Sequence, residues 1–203
     1  ILKDIACRSL LQKLEQKGYI FLPERRPAPP SRMKDQRNIL LPLPPSSIAC
    51  TLTQAKPLNI EIAKAKTTNA KLFANLLAQH HYLGYRGSVG EHLPYLIWDR
   101  AGSLLGCLLF GAAAWRIEPR DEFIGWNEEQ RRRNLALISN NMRFLLLKRI
   151  PHLASHLLGK IARQISRDFQ EKYGHGLLML ETFVEVGRFA GTCYRSANWI
   201  ELG

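Results

Sequence analysis

The stretch Pro94-Tyr95-Leu96-Ile97-Trp98-Asp99-Arg100-Ala101-Gly102-Ser103-Leu104-Leu105-Gly106-Cys107-Leu108-Leu109-Phe110 decides the fold. Two apolar runs of strand length flank a short polar turn, and Gly102 suits that turn because it lacks a Cβ. The pattern predicts a β-hairpin with strands over 94–99 and 103–114. Upstream, Leu58, Ile60 and Ile62 alternate with polar residues, as in a half-buried strand. Residues 69–81 carry Leu72, Phe73, Leu76 and Leu77 at helical spacing. Downstream, residues 134–147 contain another strand. Residues 153–173 form a long helix, with Leu157, Leu158, Ile161, Ile165 and Phe169 on one side and basic residues opposite. A buried strand over 177–184 and a short helix over 189–197 complete the order β-α-β-β-β-α-β-α. The fold class is α+β: a mixed sheet with helices on both faces.

A mixed sheet whose central strand feeds a helix N-terminus is the layout of the GNAT acyltransferase fold, so residues 58–203 are expected to form a GNAT-like domain. The likeness is one of layout and carries no function by itself. Acetyl-CoA is the cofactor such a layout suggests. The strand-to-helix turn Pro151-His152-Leu153-Ala154-Ser155-His156 argues against it, because the first glycine is Gly159 and side chains would crowd a pyrophosphate. The same helix end suits a DNA phosphate.

Charge points to the partner. The chain has 203 residues, a net charge of +12 and a pI near 9.9, a balance that favours an anionic partner, most often nucleic acid. Residues 1–56 hold ten Lys/Arg against four Asp/Glu, a net +6, whereas residues 57–203 hold nineteen against thirteen, the same +6 over more than twice the length. In the first of these segments, residues 2–17 read as a helix with Cys7, Leu10, Leu11 and Leu14 on one stripe. Gly18 ends it, Tyr19–Leu22 is expected as a strand, and Arg25 and Arg26 follow in a turn. That is the order of a recognition helix and wing. Residues 1–26 are therefore read as a partial winged helix–turn–helix, with Lys3, Arg8, Gln12, Lys13, Lys17, Arg25 and Arg26 on DNA. A plain αβ unit with a solvated polar face has the same local pattern. Residues 27–57 read as a proline-rich linker. The chain opens on Ile1 rather than Met, so residues before it are expected.

The four cysteines, Cys7, Cys50, Cys107 and Cys193, are scattered and read as reduced thiols in a cytoplasmic protein. No apolar run is long enough to span a bilayer, and no membrane partner is expected. The candidate pocket is His81, Asn141, Arg143, Glu181 and Tyr194, polar residues set in apolar strands or at helix ends. Such residues mark either a cleft or a structural network. Glu181 reads as a general base if buried, or as the partner of Arg143 or Arg188 in an ion pair. Of His80 and His81, which leave the helix on different faces, one packs and one is free. His152 and His156 have metal-chelating spacing but no glutamate of a metalloprotease motif, and no metal site is assigned. Arg131-Arg132-Arg133 is a solvated face or a phosphate contact. Nucleophile-elbow, Walker and metal-carboxylate motifs are absent.

Six stretches carry a family resemblance: 2–8, 80–85, 120–126, 153–159, 180–184 and 191–199, among them His80-His81-Tyr82-Leu83-Gly84-Tyr85 and Arg120-Asp121-Glu122-Phe123-Ile124-Gly125-Trp126. Together they resemble the Druantia anti-phage defence protein A family, a domain of unknown function that also occurs beside transposases. The resemblance implies a role in bacterial defence, with DNA and other proteins of the system as partners, and leaves an oligomer open. It supplies no active site. It also implies a Gly/Arg-rich tail past Trp199 and a short Pro-Trp-containing stretch between Leu147 and Lys148, neither of which this sequence shows.

Overall fold

The computed structural model describes residues 10, 11, 13–22 and 51–203, which fall into two units, one within residues 1–34 and one within 35–203. In the first, residues 13–16 are helical and Gly18 takes φ +73. The amides of Gly18 and Tyr19 donate to the carbonyls of Glu15 and Leu14, at 2.9 and 3.0 Å, which is the expected glycine stop. The strand expected over residues 19–22 is not formed. The Leu22 amide donates to Glu15 Oε1 at 3.1 Å, and a donor satisfied by a local side chain is lost to a ladder. Lys13 and Lys17 are exposed. Lys3, Arg8, Gln12, Arg25 and Arg26, and with them the winged-helix reading, lie outside the described residues.

The second unit runs α1 (Leu52–Ala55), β1 (Asn59–Ile62), α2 (Thr68–His80), β2 (His92–Trp98), β3 (Leu104–Ala112), α3 (Glu118–Ile124), α4 (Glu128–Asn134), β4 (Ile138–Leu146), α5 (Leu153–Tyr173), β5 (Met179–Glu181) and α6 (Thr192–Arg195). The five strands form one sheet in the order β1-β2-β3-β4-β5. The first four pair antiparallel and β5 runs parallel to β4. A parallel neighbour needs a long crossover, and α5 supplies it. The long helix lies over the residues its apolar spacing predicts. The expected strand over 177–184 shrinks to three residues, because only Ile138↔Met179, Ser139↔Leu180 and Asn140↔Glu181 pair before the strands part.

Helices α3 and α4 were not expected, although their ends carry ordinary signals. Pro119 stands in the first turn of α3, and Gly125 closes it at φ 75. Asn127 and Gln130 make a reciprocal capping box on α4.

The two faces of the sheet are covered differently. Leu93, Tyr95 and Ile97 of β2 pack with Leu153, Leu157, Leu158, Ile161, Ile165 and Phe169 of α5. Leu96 packs with Phe73, Leu76 and Leu77 of α2. This is the alternation a strand imposes. Tyr95 pins α5 to the sheet, since its hydroxyl donates to Asp168 Oδ2 at 2.7 Å and Gln164 Nε2 donates to the same oxygen at 3.2 Å. Burial pushes the Tyr95 phenol far above its ordinary value, so it stays a donor.

A register shift lies between Leu109 and Phe110. Leu109 faces Arg143 and Phe110 faces Asn141, which leaves Met142 as the extra residue. A bulge of this kind bends a strand and re-aims its side chains.

Gly106 and Gly111 make a contrast in close approach. A Cβ on Gly106 would lie 2.2 Å from the Leu145 carbonyl oxygen, which is backbone; one on Gly111 would meet the Met142 sulfur at 2.4 Å. Gly106→Ala should therefore lower stability by about 1–3 kcal/mol, because the neighbouring strand must move. Gly111→Ala should cost about 1 kcal/mol or less, since a flexible thioether swings aside. Urea unfolding of the two variants tests this, and equal losses would refute it.

Candidate functional site

Past the last paired residues, β4 and β5 separate and a cavity of about 690 Å³ opens between them, a size typical of small-molecule sites. Residues 140–146 of β4, 80–83 at the end of α2, 182–185 after β5, 189–194 at the start of α6, and Ala154 in the first turn of α5 line it. Three structural devices place these residues: the bulge at Met142, the end of α2 at His81, and the loss of pairing beyond Glu181.

Asn141 is buried and fully engaged. Its Oδ1 accepts from the Tyr194 hydroxyl at 2.7 Å, and its Nδ2 donates to the carbonyls of Leu109 and Arg143 at 3.3 and 3.2 Å. Its own carbonyl accepts from Thr182 Oγ1 at 3.2 Å. Asn141 thus ties β4 to α6 and to the chain after β5. Burial raises the Tyr194 phenol to about 12, so it remains a donor at neutral pH.

Arg143 is half-buried at the same cavity. Its Nε donates to the Gly84 carbonyl at 3.2 Å and its Nη1 to the Met142 carbonyl at 2.7 Å. Among the described residues it pairs with no carboxylate. Burial pulls its pKa below the ordinary arginine value. A guanidinium held on carbonyls, with no anion opposite it, is suited to an anionic ligand.

His81 is pulled down from 6.5 to about 4, first by burial and then by Arg143. Its Nδ1 accepts from the Leu83 amide at 3.2 Å, so the neutral ring carries its proton on Nε2. In the unfolded chain the ring takes its proton near 6.5, and in the folded chain only near 4. Between those values the unfolded state binds more protons, so stability falls as pH drops through this window. The loss reaches at most about 3 kcal/mol, less the share that solvent screens. His81→Asn should remove that limb of the pH–stability curve; an unchanged curve between pH 6.5 and 4 would count against the assignment.

His80 Nε2 and Asn140 Oδ1 also border the cavity, buried and without a hydrogen-bond partner. Aromatic groups form its rim. Tyr82 stacks on His81 at 4.8 Å and meets Phe189 at 5.4 Å, and the Arg188 guanidinium lies 4.5 Å from the Tyr82 ring centroid.

Four of the five candidate pocket residues, His81, Asn141, Arg143 and Tyr194, therefore meet at one cavity. Glu181 lines an adjoining hollow of about 790 Å³, which shares the wall of residues 182–184 and Tyr194 with the first. Its Oε1 accepts from the Ala114 amide at 2.7 Å and its Oε2 from Arg120 Nη1 at 2.8 Å. The ion-pair partner is thus Arg120 rather than Arg143 or Arg188. Arg120 is only 3% exposed and also holds Asp121 at 2.7 Å and the Ala114 carbonyl at 2.8 Å. Burial alone would lower the Arg120 pKa; the hydrogen bonds from Glu181 and Asp121 outweigh it and hold the value above the ordinary one. Burial, the largest single influence, drives Asp121 up, and the hydrogen bonds and charges around it, Arg120 first, together outweigh it and leave it below its ordinary value.

The arginine triplet divides. Arg131 is buried, pairs with Asp121 at 3.3 Å, and lies over the Trp115 ring at 5.8 Å. Arg132 and Arg133 are exposed and pair with Glu128 and Glu129 one turn back.

A second basic surface was only half visible in the sequence. On α5, His156, Lys160, Arg163 and Arg167 fall within an arc of about 60° and about 16 Å of helix, opposite the buried residues. Lys56, Lys160 and Arg163 all act on His156, whose pKa is lowered by burial and then by these three charges. Residues 130–167 contain nine Lys/Arg and no Asp or Glu. That acid-free run is the signal which could have located this face. Among the described residues no helix is long and apolar enough to cross a membrane.

The sequence profile of the family described as Druantia protein DruA matches residues 15–203. The chain is also similar to the Druantia protein DruA of Escherichia coli (strain UMEA 4076-1), at 30% identity over 122 residues, which cover 57% of this chain and 29% of that protein. The match thus spans less than a third of that relative's length. No solved structure matches the chain.

Proposed function

The chain belongs to the Druantia protein DruA family, and on that premise we propose that it is a DNA-engaging component of an anti-phage defence system, working in the cytoplasm with other proteins of that system. The observation that carries this reading is the acid-free run of residues 130–167, which includes the cationic stripe of α5. Arg149, Arg163 and Arg167 are exposed and enter no ion pair among the described residues. A duplex carries one charge per about 1.7 Å of axis, so a stripe of this length meets several phosphates. The basic stretch of residues 2–17, together with Arg25 and Arg26, would add a second arm if it folds as the winged helix its sequence pattern predicts. Titrating duplex DNA against salt tests the reading. Affinity should fall by at least about 10³ between 50 and 200 mM salt if six or more phosphates are contacted; a salt-independent affinity would rule out phosphate contact.

A second reading, a GNAT-like transferase acting on DNA or a nucleotide, has one observation in its favour: the cavity is open where the parallel strands part. The turn into α5 does not fit an acyl-CoA pyrophosphate. It holds Lys148, Arg149 and His152 and no glycine, and Pro151 removes one of the amides that would face the phosphates. Acetyl-CoA at millimolar concentration should leave the melting temperature unchanged. A rise of several degrees would favour the transferase.

A further inference from the structure

We propose that the cavity between β4 and β5 receives one unpaired nucleotide of the bound nucleic acid, its phosphate at Arg143 and its base against Tyr82 and Phe189; the proposal rests on the DNA-engaging reading. Three features favour this occupant. The volume of about 690 Å³ is ample for a single nucleotide. Arg143 is the cation of the cavity that lacks a carboxylate among the described residues, and the one carboxylate on the lining, Glu185, is exposed. The rim offers stacking surface outside the core: Tyr82 is 42% and Phe189 50% exposed. Rings in contact with each other and with an arginine are the platform on which unpaired bases stack. The stripe of α5 would hold duplex whether or not the cavity is filled.

The experiment compares two labelled duplexes of the same sequence, one fully paired and one with a single unpaired nucleotide, binding to the full chain by fluorescence anisotropy at fixed salt. The expected result is about ten-fold tighter binding of the duplex with the unpaired nucleotide, at the low end of what stacking a base on an aromatic ring contributes. Tyr82→Ala and Arg143→Gln should each bring that ratio to within two-fold of unity. Tyr82 is solvent-exposed, so its removal leaves the fold in place if Arg143→Gln does not. Equal affinities for the two duplexes in the wild type, or a ratio untouched by Tyr82→Ala, overturns the proposal while duplex binding stands. Binding of neither duplex sinks the DNA-engaging reading itself. Loss of the preference on adding micromolar free deoxynucleoside monophosphate would give the cavity to a free nucleotide and overturn its assignment to a strand.

Discussion

Arg120→Met is expected to lower the free energy of unfolding by about 3–5 kcal/mol, the usual cost of removing one partner of a buried ion pair. The side chain is buried and reaches three groups at once: Glu181 on β5, Asp121 on its own helix, and the carbonyl of Ala114 after β3. Methionine keeps most of the volume and none of the charge. Glu181 and Asp121 then face one another at 10% and 13% exposure with no cation between them except Arg131, which reaches only Asp121. Glu181→Gln is a milder change. Glutamine still accepts from the Ala114 amide, and Arg120 keeps Asp121, so the cost should be about 1–2 kcal/mol. Urea unfolding of the single and double variants gives the coupling energy. A single-variant loss below 1 kcal/mol for Arg120→Met would show that the network is not what holds β5. The same network sets the acid limb. Asp121, held below its ordinary 3.8, adds stability that is fully present above that value and is lost as pH falls through its lower folded value. Arg120→Met should erase this limb, which lies below the His81 window.

The second large effect concerns binding. Arg149→Ala, Arg163→Ala and Arg167→Ala combined should reduce duplex affinity on the order of 100-fold at 0.1 M salt and lower the salt slope by about three. All three residues are exposed, and Arg163 and Arg167 project from α5 opposite its buried side. The fold should therefore survive with a melting temperature near that of the wild type. Arg8→Ala with Lys13→Ala probes the other arm, and its effect on the slope should add to that of the triple variant because each phosphate contact releases its own counterion. A triple variant that keeps the wild-type slope would move the DNA away from α5 and leave the N-terminal arm as the docking element.

A nucleotide cavity beside a cationic helix also changes how the bulge at Met142 is to be viewed. Without it, β4 would pair with β3 in regular alternation along its whole length. With it, Asn141 is free to fasten Tyr194 while Arg143 reaches Gly84. One extra residue in an edge-proximal strand thus connects the sheet's register to the charge in the cavity.

The strands and the two long helices were legible in the sequence because each buries a continuous stripe, and burial leaves a period of two or of 3.6 in the residue pattern. That period, together with local stop signals such as Gly174 after α5, was enough for the order of the strands and the two long helices, the α+β class and the hairpin. Polar residues interrupting apolar strands also marked the cavity, since a strand tolerates Asn141 or Arg143 only where a partner or an opening receives it. The short helices α3 and α4 escaped because at seven residues each they show no full period, only caps. The partner of Glu181 escaped for a different reason. Arg120 lies 61 positions away, and Glu181 shares a polar surrounding with several cations in the sequence, so proximity there is not a function of spacing. Sequence alone determined where the five strands of the sheet and the two long helices fall, the excess of positive charge, and the family, since these depend on local pattern and composition. Only the tertiary structure decided that β4 and β5 part after three residue pairs, that His81, Asn141, Arg143 and Tyr194 share one cavity, and that Glu181 belongs to another. Those outcomes depend on register and crossover geometry, which long-range packing sets and no local stretch encodes.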